Sequence, residues 1–405
     1  MGNMRNTILI ITGGVLQIPA ILEAKKMGLK TIVTDQNKNA PCMNIADESF
    51  TIDIFDVEGH LKLLEKIQKK NKIVGVFTEG SEATVTVAIL AKKLKLPGIS
   101  ISSAQNCKNK FKTRKILEKN KIPIPKWEVA KNLNEFLNAT NKIKIPLIVK
   151  AADNSGSRGT TKILKKENLE KAYKLAKENS TNGLVLVEQL CFGSEQSVEI
   201  IFNKNKWNML NIVDRYFSKN KWAVELGHVN PTKLENEFKE KLFKITIDAA
   251  KAMKINFGVF KADTMITEKG PIIIEVTPRL SGGFDSQKST PISSGRNFIR
   301  SAMRLSIGLD CEEEDITSKW KKYCAVWSIK NKKGYVKKIT GISKVSKIEG
   351  IKEIILLKKE GDFLNLIKNS TNRPGYVIAE GHTYQTAMRR AKNGAKMIKI
   401  KVEND

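Results

Sequence analysis

Over roughly its first 100 residues the chain alternates short β-branched runs with longer amphipathic stretches, and this alternation restricts the fold more than any other feature. An apolar run at 8–11 passes through Gly13-Gly14 into a helical stretch at 18–26, and 30–34 with Asp35 reads as a second strand. A strand at 50–54, a helix at 60–69, a strand at 73–77 and a helix at 83–94 complete the segment. Strands separated by helices cannot pair as hairpins, so a parallel, doubly wound sheet is expected. An acid closing the second strand is a feature of dinucleotide folds. Here Thr12-Gly13-Gly14-Val15-Leu16-Gln17 lacks the G-x-G-x-x-G spacing that brings a pyrophosphate onto the backbone, so nicotinamide chemistry is not expected.

The remainder is organised differently. A lysine-rich helix over 109–120 is stopped by Ile122-Pro123-Ile124-Pro125, which no helix crosses. A strand at 147–151, a loop of small residues from Asp153 to Gly159, a strand at 160–164 and a helix at 168–179 follow. The end of the chain reads as a small α+β module with strands at 323–329, 354–358 and 375–380 and a helix at 383–397. A length of 405 residues suits two or three domains, expected at 1–105, 106–320 and 321–405. The fold class is α/β with α+β.

Composition narrows the partners. Lys and Arg number 71 against 42 Asp and Glu, a net charge of +29, and all but 11 of the bases are lysines spread along the whole chain. Proteins that read nucleic acid favour clustered, bidentate Arg, so these charges are expected to be a solvated face, and neither DNA nor RNA is expected as partner. The five cysteines (Cys42, Cys107, Cys191, Cys311, Cys324) lie far apart and histidines number three, which provides neither a zinc site nor a disulfide framework. The early apolar run breaks at Gly13-Gly14, too soon for a signal peptide, and no run approaches the ~18 residues of a membrane helix. A cytoplasmic protein without membrane contact is expected, with a homodimer admitted and not required.

The sharpest constellation is Phe257-Gly258-Val259-Phe260-Lys261-Ala262-Asp263, then Glu268-Lys269-Gly270, then Pro271-Ile272-Ile273-Ile274-Glu275-Val276-Thr277-Pro278-Arg279. Two apolar runs around a Gly-containing turn form a hairpin. A turn centred on Lys269 sets Asp263 opposite Glu275, with Cβ atoms about 4.5–5.5 Å apart. Facing carboxylates repel and need a proton or a cation, and oxygen ligands suit magnesium. Period-two alternation places Glu275, Thr277 and Arg279 on one face, a layout that stabilises charge developing on a transferring phosphoryl group. An ordinary surface charge network is the alternative reading of this hairpin by itself.

With the run Gly183-Leu184-Val185-Leu186-Val187-Glu188-Gln189-Leu190, the following Gly193-Ser194-Glu195, and Lys110 and Lys150, the chain resembles the ATP-grasp superfamily of carboxylate–amine ligases over nearly its whole length. The resemblance implies ATP and magnesium, with manganese able to replace it, and a two-part ATP-grasp domain at 106–320 whose lid spans about 125–190. It assigns Lys110 and Lys150 to the phosphates, Ser155, Gly156, Ser157 and Arg158 to a flap over them, Glu188 and the Leu190 backbone to the adenine edge, and Glu195 to the ribose. Asp263 and Glu275 would hold the metal and Arg279 would stabilise the acyl-phosphate. Thr277 stands where the family usually has Asn, and Gly282-Gly283 would let the backbone approach the acyl group. The stretch Arg373-Pro374-Gly375-Tyr376-Val377-Ile378-Ala379-Glu380-Gly381-His382-Thr383 looks like the module that closes L-amino-acid (dipeptide) ligases, whose substrate-pocket histidine matches His228, next to Glu225. Glu79 and Glu82, at a strand end of the first domain, are candidates for holding a substrate ammonium. The implied reaction joins a small carboxylate to an amine through an acyl-phosphate. The rival readings are a carboxylase acting on bicarbonate, a purine-pathway ligase holding a ribose phosphate at Gly13-Gly14, and a basic nucleic-acid binder.

Overall fold

The computed structural model describes residues 5–317 and 319–403. The first segment forms a four-stranded sheet in which Asn6–Ile11 pairs in parallel with Lys30–Asp35 on one side and Lys72–Phe77 on the other, and Glu48–Thr51 closes one edge. Alternation along the first strand divides two cores. Ile8 and Ile10 join Ala20, Ile21 and Ala24 of the helix Ile18–Lys26, whereas Leu9 and Ile11 join Leu63, Leu64 and Ile67 of the helix Val57–Ile67. The sheet is therefore parallel and covered on both faces, as the alternation predicts. One cover comes from far along the chain: Phe298, Ile299 and Met303 of the helix Phe298–Ser306 complete the first core.

The lid is an antiparallel sheet in the order Trp127–Ala130, Val185–Gln189, Leu147–Ala151, Thr161–Ile163. Leu147 and Val149 face a core with Phe136 and Ala172 from the helices Leu133–Ile143 and Leu169–Glu178. Period two then sends Ile148 and Lys150 to the opposite face, which lines the cleft. The helix expected over 109–120 is present as Lys110–Lys119, and a further helix, Ile101–Lys108, precedes it. Asn109 is extended and caps the second by accepting a hydrogen bond from the Lys112 N–H at 3.0 Å. Each helix is short, and the Asn side chain competes with the helical backbone at the break.

The last segment is not an independent sheet. Its strands Tyr323–Ser328, Gly375–Gly381 and Ile351–Leu356 extend an eight-stranded sheet that begins at the hairpin Gly258–Thr267 and Gly270–Thr277 and runs through Ser194–Asn203, Lys206–Phe217 and Glu225–Asn230. A three-stranded sheet (Phe363–Leu364, Gly334–Thr340, Lys399–Glu403) lies outside it. First domain, lid and central sheet enclose a cleft of about 1650 Å³. Among the described residues no helix is long and apolar enough to cross a membrane.

Candidate active site

Strand register builds the floor of the cleft. One row across the central sheet runs Glu275, Asp263, Ser197, and the next row on the same face runs Met265, Glu195, Arg215, His228. Residues far apart in sequence thus meet because each sits opposite its neighbour on a pleated surface.

Asp263 and Glu275 do face each other, by a different route from the one expected. The turn is the two-residue Glu268-Lys269, with Thr267 opposite Gly270, and that register alone would set Asp263 against Ile274. A bulge at Ile274 moves Glu275 into place. Bulges re-aim side chains in this way next to functional sites. The charge repulsion is met by cations: Glu275 lies 2.8 Å from Lys110 Nζ, and Asp263 Oδ1 lies 2.6 Å from Lys261 Nζ and 2.8 Å from Arg215 Nη1. Burial alone would raise the Glu275 carboxyl, but Lys110, with Lys150 and Lys261 further off, holds it down at about 2.

A divalent cation fits this group. Thr277 Oγ1 is buried without a hydrogen-bond partner, and it borders the cleft beside Asp263 and Glu275. Two carboxylates and a hydroxyl are fewer than a closed protein cage, and no cluster of three or more His, Cys, Asp or Glu forms among the described residues. An ion bound here would complete its shell with phosphate oxygens and water, the usual habit of magnesium.

Lys110 and Lys150 reach the same cleft from the helix Lys110–Lys119 and from the lid. Lys110 Nζ also donates to the Asn154 carbonyl at 2.5 Å. Glu188 departs from its expected role. Its side chain is fully buried, accepting from Lys150 Nζ at 2.6 Å and from Arg114 Nε at 2.7 Å, so it holds cations and is not free for an adenine. Burial would raise this carboxyl, and the two cations pull it down to about 2. The Leu190 N–H likewise is not free, because it donates to the Pro146 carbonyl at 3.1 Å. Glu195 lines the cleft opposite Arg215, with burial raising its carboxyl.

The flap residues Ser155, Gly156, Ser157 and Arg158 do overhang the cleft. Gly156 and Ser157 both take positive φ, +62° and +63°, which Gly tolerates and Ser accepts only with support. That support is a bond from Ser157 Oγ to the Ala223 carbonyl at 2.6 Å. Ser155 Oγ and Arg158 Nη2 both donate to Glu82, so that carboxylate fastens the flap to the first domain. Glu79 is not a cleft residue at all. It is fully buried, accepts from Gln287 Nε2 at 2.9 Å, and burial pushes its carboxyl up to about 8.

Arg279 is fixed by backbone: Nε donates to the Ser81 carbonyl at 3.0 Å and Nη1 to the Leu280 carbonyl at 2.8 Å. Gly282 packs against Gly80, where an added Cβ would lie 3.4 Å from the Gly80 Cα, and Gly283 has φ +69°. Glu225 accepts from Arg215 Nη2 at 2.8 Å and lies 3.2 Å from His228 Nδ1, while His228 Nε2 is buried without a partner. Burial opposes ionisation of Glu225, and Arg215 with His228 more than reverses it, holding the carboxyl far below its usual range.

Arg114, Arg215, Lys261 and Lys162, which lines the cleft from the lid strand Thr161–Ile163, are the site residues that sequence reasoning missed. Arg114 had a signal, lying one helical turn after Lys110. So did arginine scarcity: of 11 in the chain, Arg158, Arg215, Arg279 and Arg373 line this one cleft. Lys162 and Lys261 are hidden among 60 lysines.

Comparison with known families agrees with this geometry. The ATP-grasp domain profile matches residues 107–283, the ATP-grasp N-terminal domain profile matches 21–98, and L-amino acid ligase C-terminal domain 2 matches 327–403. The chain belongs to the ATP-grasp ligases. These enzymes use ATP with magnesium or manganese to form C–N bonds. Among solved structures, L-amino acid ligase from Bacillus licheniformis superposes with a TM-score of 0.84 at 22% identity, covering 99% of this ATP-grasp chain and 100% of that one. Phosphoribosylglycinamide synthetase from Anaerococcus prevotii gives 0.73 at 24% identity, over 98% and 100%. A formate-dependent phosphoribosylglycinamide formyltransferase of Sulfurisphaera tokodaii is 24% identical over 413 aligned positions, 97% of this chain and 96% of the relative.

Proposed function

We propose that this ATP-grasp ligase joins a small carboxylic acid, an amino acid or a similar acid, to an amine, with ATP converted to ADP and phosphate. The observation that carries the reading is the facing pair Asp263 and Glu275, flanked by Lys110 and Lys150 and followed by an Arg279 whose guanidinium is held by two carbonyls. Lys110 and Lys150 turn from their carboxylate partners to the triphosphate, and the flap closes over it. Asp263, Glu275 and Thr277 would hold the divalent ion, which when bound would supply positive charge against the phosphates. An oxygen of the substrate carboxylate attacks the γ-phosphorus and ADP leaves. The amine nitrogen then attacks the acyl carbon, phosphate leaves, and an amide remains. Arg279, already oriented, stabilises the negative oxygen of the tetrahedral intermediate without reorganising. No nucleophilic side chain is required.

The full-length likeness to phosphoribosylglycinamide formyltransferases favours a second reading, a purine-type ligase on a ribose phosphate. Against it, the Gly13 N–H donates to Asp35 Oδ2 at 2.7 Å, so a carboxylate already occupies the turn where that phosphate would bind and repels it. Phosphate release from Mg·ATP, followed over a grid of acids, amines and ribose phosphates, tests both readings. Release should require an acid and an amine together and fall at least ~100-fold in Arg279→Ala, as for loss of an oxyanion donor. Turnover confined to ribose phosphates would replace the proposal with the second reading.

A further inference from the structure

Among the arginines of the cleft, Arg158 and Arg215 are neutralised by carboxylates, whereas Arg279 and Arg373 have none within 4.0 Å among the described residues. Arg373 is anchored in the manner of Arg279. Its Nε donates to the Ser370 carbonyl at 3.0 Å and its Nη1 to the Glu225 carbonyl at 3.1 Å. Carbonyls fix the plane of a guanidinium without cancelling its charge, which leaves a forked donor ready for an anion with two oxygens. The two carbonyls come from different parts of the chain, the last segment and the strand Glu225–Asn230, so the orientation is set by tertiary structure.

The position points to the anion. The Arg373 guanidinium lies over the Tyr376 ring, 5.1 Å from its centre, and that ring meets Phe284 edge-on at 5.2 Å. Phe284 directly follows Gly282-Gly283, the backbone beyond Arg279, and both aromatic residues line the cleft. Arg373 therefore stands on the acyl side, next to the flap, whose Gly156 carbonyl accepts from the Ser370 N–H at 2.9 Å. Arg279 and the Asp263–Glu275 pair account for the reacting carboxyl group and the phosphate. A second, unreacting anion on the acyl side is what remains for Arg373 to recognise.

We propose that Arg373 is a specificity-determining residue that binds a carboxylate carried by the amine substrate, orienting its nitrogen toward the acyl-phosphate. This rests on the carboxylate–amine ligase reading above and assigns a residue to its second substrate. A surface Arg with only carbonyl partners would not distinguish two amines of the same shape; a reader of the carboxylate would.

The test compares an α-amino acid acceptor with its carboxamide, in the wild type and in Arg373→Gln and Arg373→Lys, measuring KM for each amine, KM for ATP and kcat. In the wild type, KM for the amino acid should be at least ~30-fold below that for the amide, in line with a charge-assisted hydrogen-bonded pair. Arg373→Gln should remove most of that difference, leave KM for ATP within about twofold, and keep the amide rate near wild type, with Arg373→Lys intermediate. Equal effects of Arg373→Gln on acid and amide, or a rise in KM for ATP alone, would overturn the assignment while the ligase reading stands. No turnover with any pair of acid and amine would overturn the ligase reading, and this assignment with it.

Discussion

Replacing Glu188 by Gln keeps the side chain's shape and removes its charge, leaving Arg114 and Lys150 buried against a neutral amide. Breaking one member of a buried charge network costs about 3–5 kcal/mol, because the uncompensated charges remain out of water. The variant should show a lowered denaturation midpoint and weaker ATP binding together, measured by chemical unfolding and by nucleotide titration. Glu79 presents the opposite case. Burial, with Glu199 nearby, raises its carboxyl to about 8 against the pull of Gln287 and Arg279. Between about pH 4.5 and 8 the unfolded chain releases this proton and the folded one keeps it, so the group's contribution to stability declines as pH rises through that window. Glu79→Gln cannot ionise and escapes the decline. Its melting temperature relative to wild type should rise from pH 5 to pH 8.5, and a difference independent of pH would refute the assignment.

At the scale of elements, the facing pair was legible because a hairpin of two apolar runs has few possible registers. The bulge at Ile274 was not, since nothing in a row of three isoleucines marks which one leaves the ladder. Arg279 could be picked out from its place on the strand face of Glu275 and Thr277, whereas Lys110 and Lys150 are marked only by the resemblance to ATP-grasp enzymes. Arg215 could not, because a register shift between Met209 and Asn211, which no residue type there announces, sets it opposite Glu195. Glu79 and Glu82 show the limit on a single loop. Three residues apart at one strand end, they reach different environments, one sealed beneath Gln287 and the other on the flap. The flap makes its own prediction. With Glu82→Ala, Arg158 and Ser155 lose their acceptor in the first domain, and amide exchange over 153–159 should accelerate several-fold in the nucleotide-free protein. Unchanged exchange would mean that the bonds to Ala223 and Ser370 hold the flap by themselves.

Over the whole molecule, the parallel first domain was readable from its alternation, and the merging of the last segment into the central sheet was not. Sequence patterns show strands, but the partner of the strand Tyr323–Ser328 is the strand Glu225–Asn230, about 100 residues earlier. The union is sealed by Tyr384, whose hydroxyl donates to Asp214 Oδ2 at 2.9 Å beneath the sheet. A chain ending near residue 317 would expose the strand Glu225–Asn230 as a bare edge beside the cleft, and it should aggregate, measured as loss of soluble monomer against the full chain. The same continuity explains how Arg373 can enter a cleft built around Asp263 and Glu275.

The central claim is that phosphate leaves ATP by way of the substrate's own carboxylate. It is tested by supplying an acid substrate labelled with 18O in its carboxyl group, together with Mg·ATP and an amine, and analysing the released phosphate by mass spectrometry. The account requires one 18O per phosphate, dependent on the amine for release and abolished in Glu275→Gln. Phosphate released free of label, its new oxygen drawn from water, would contradict the acyl-phosphate route.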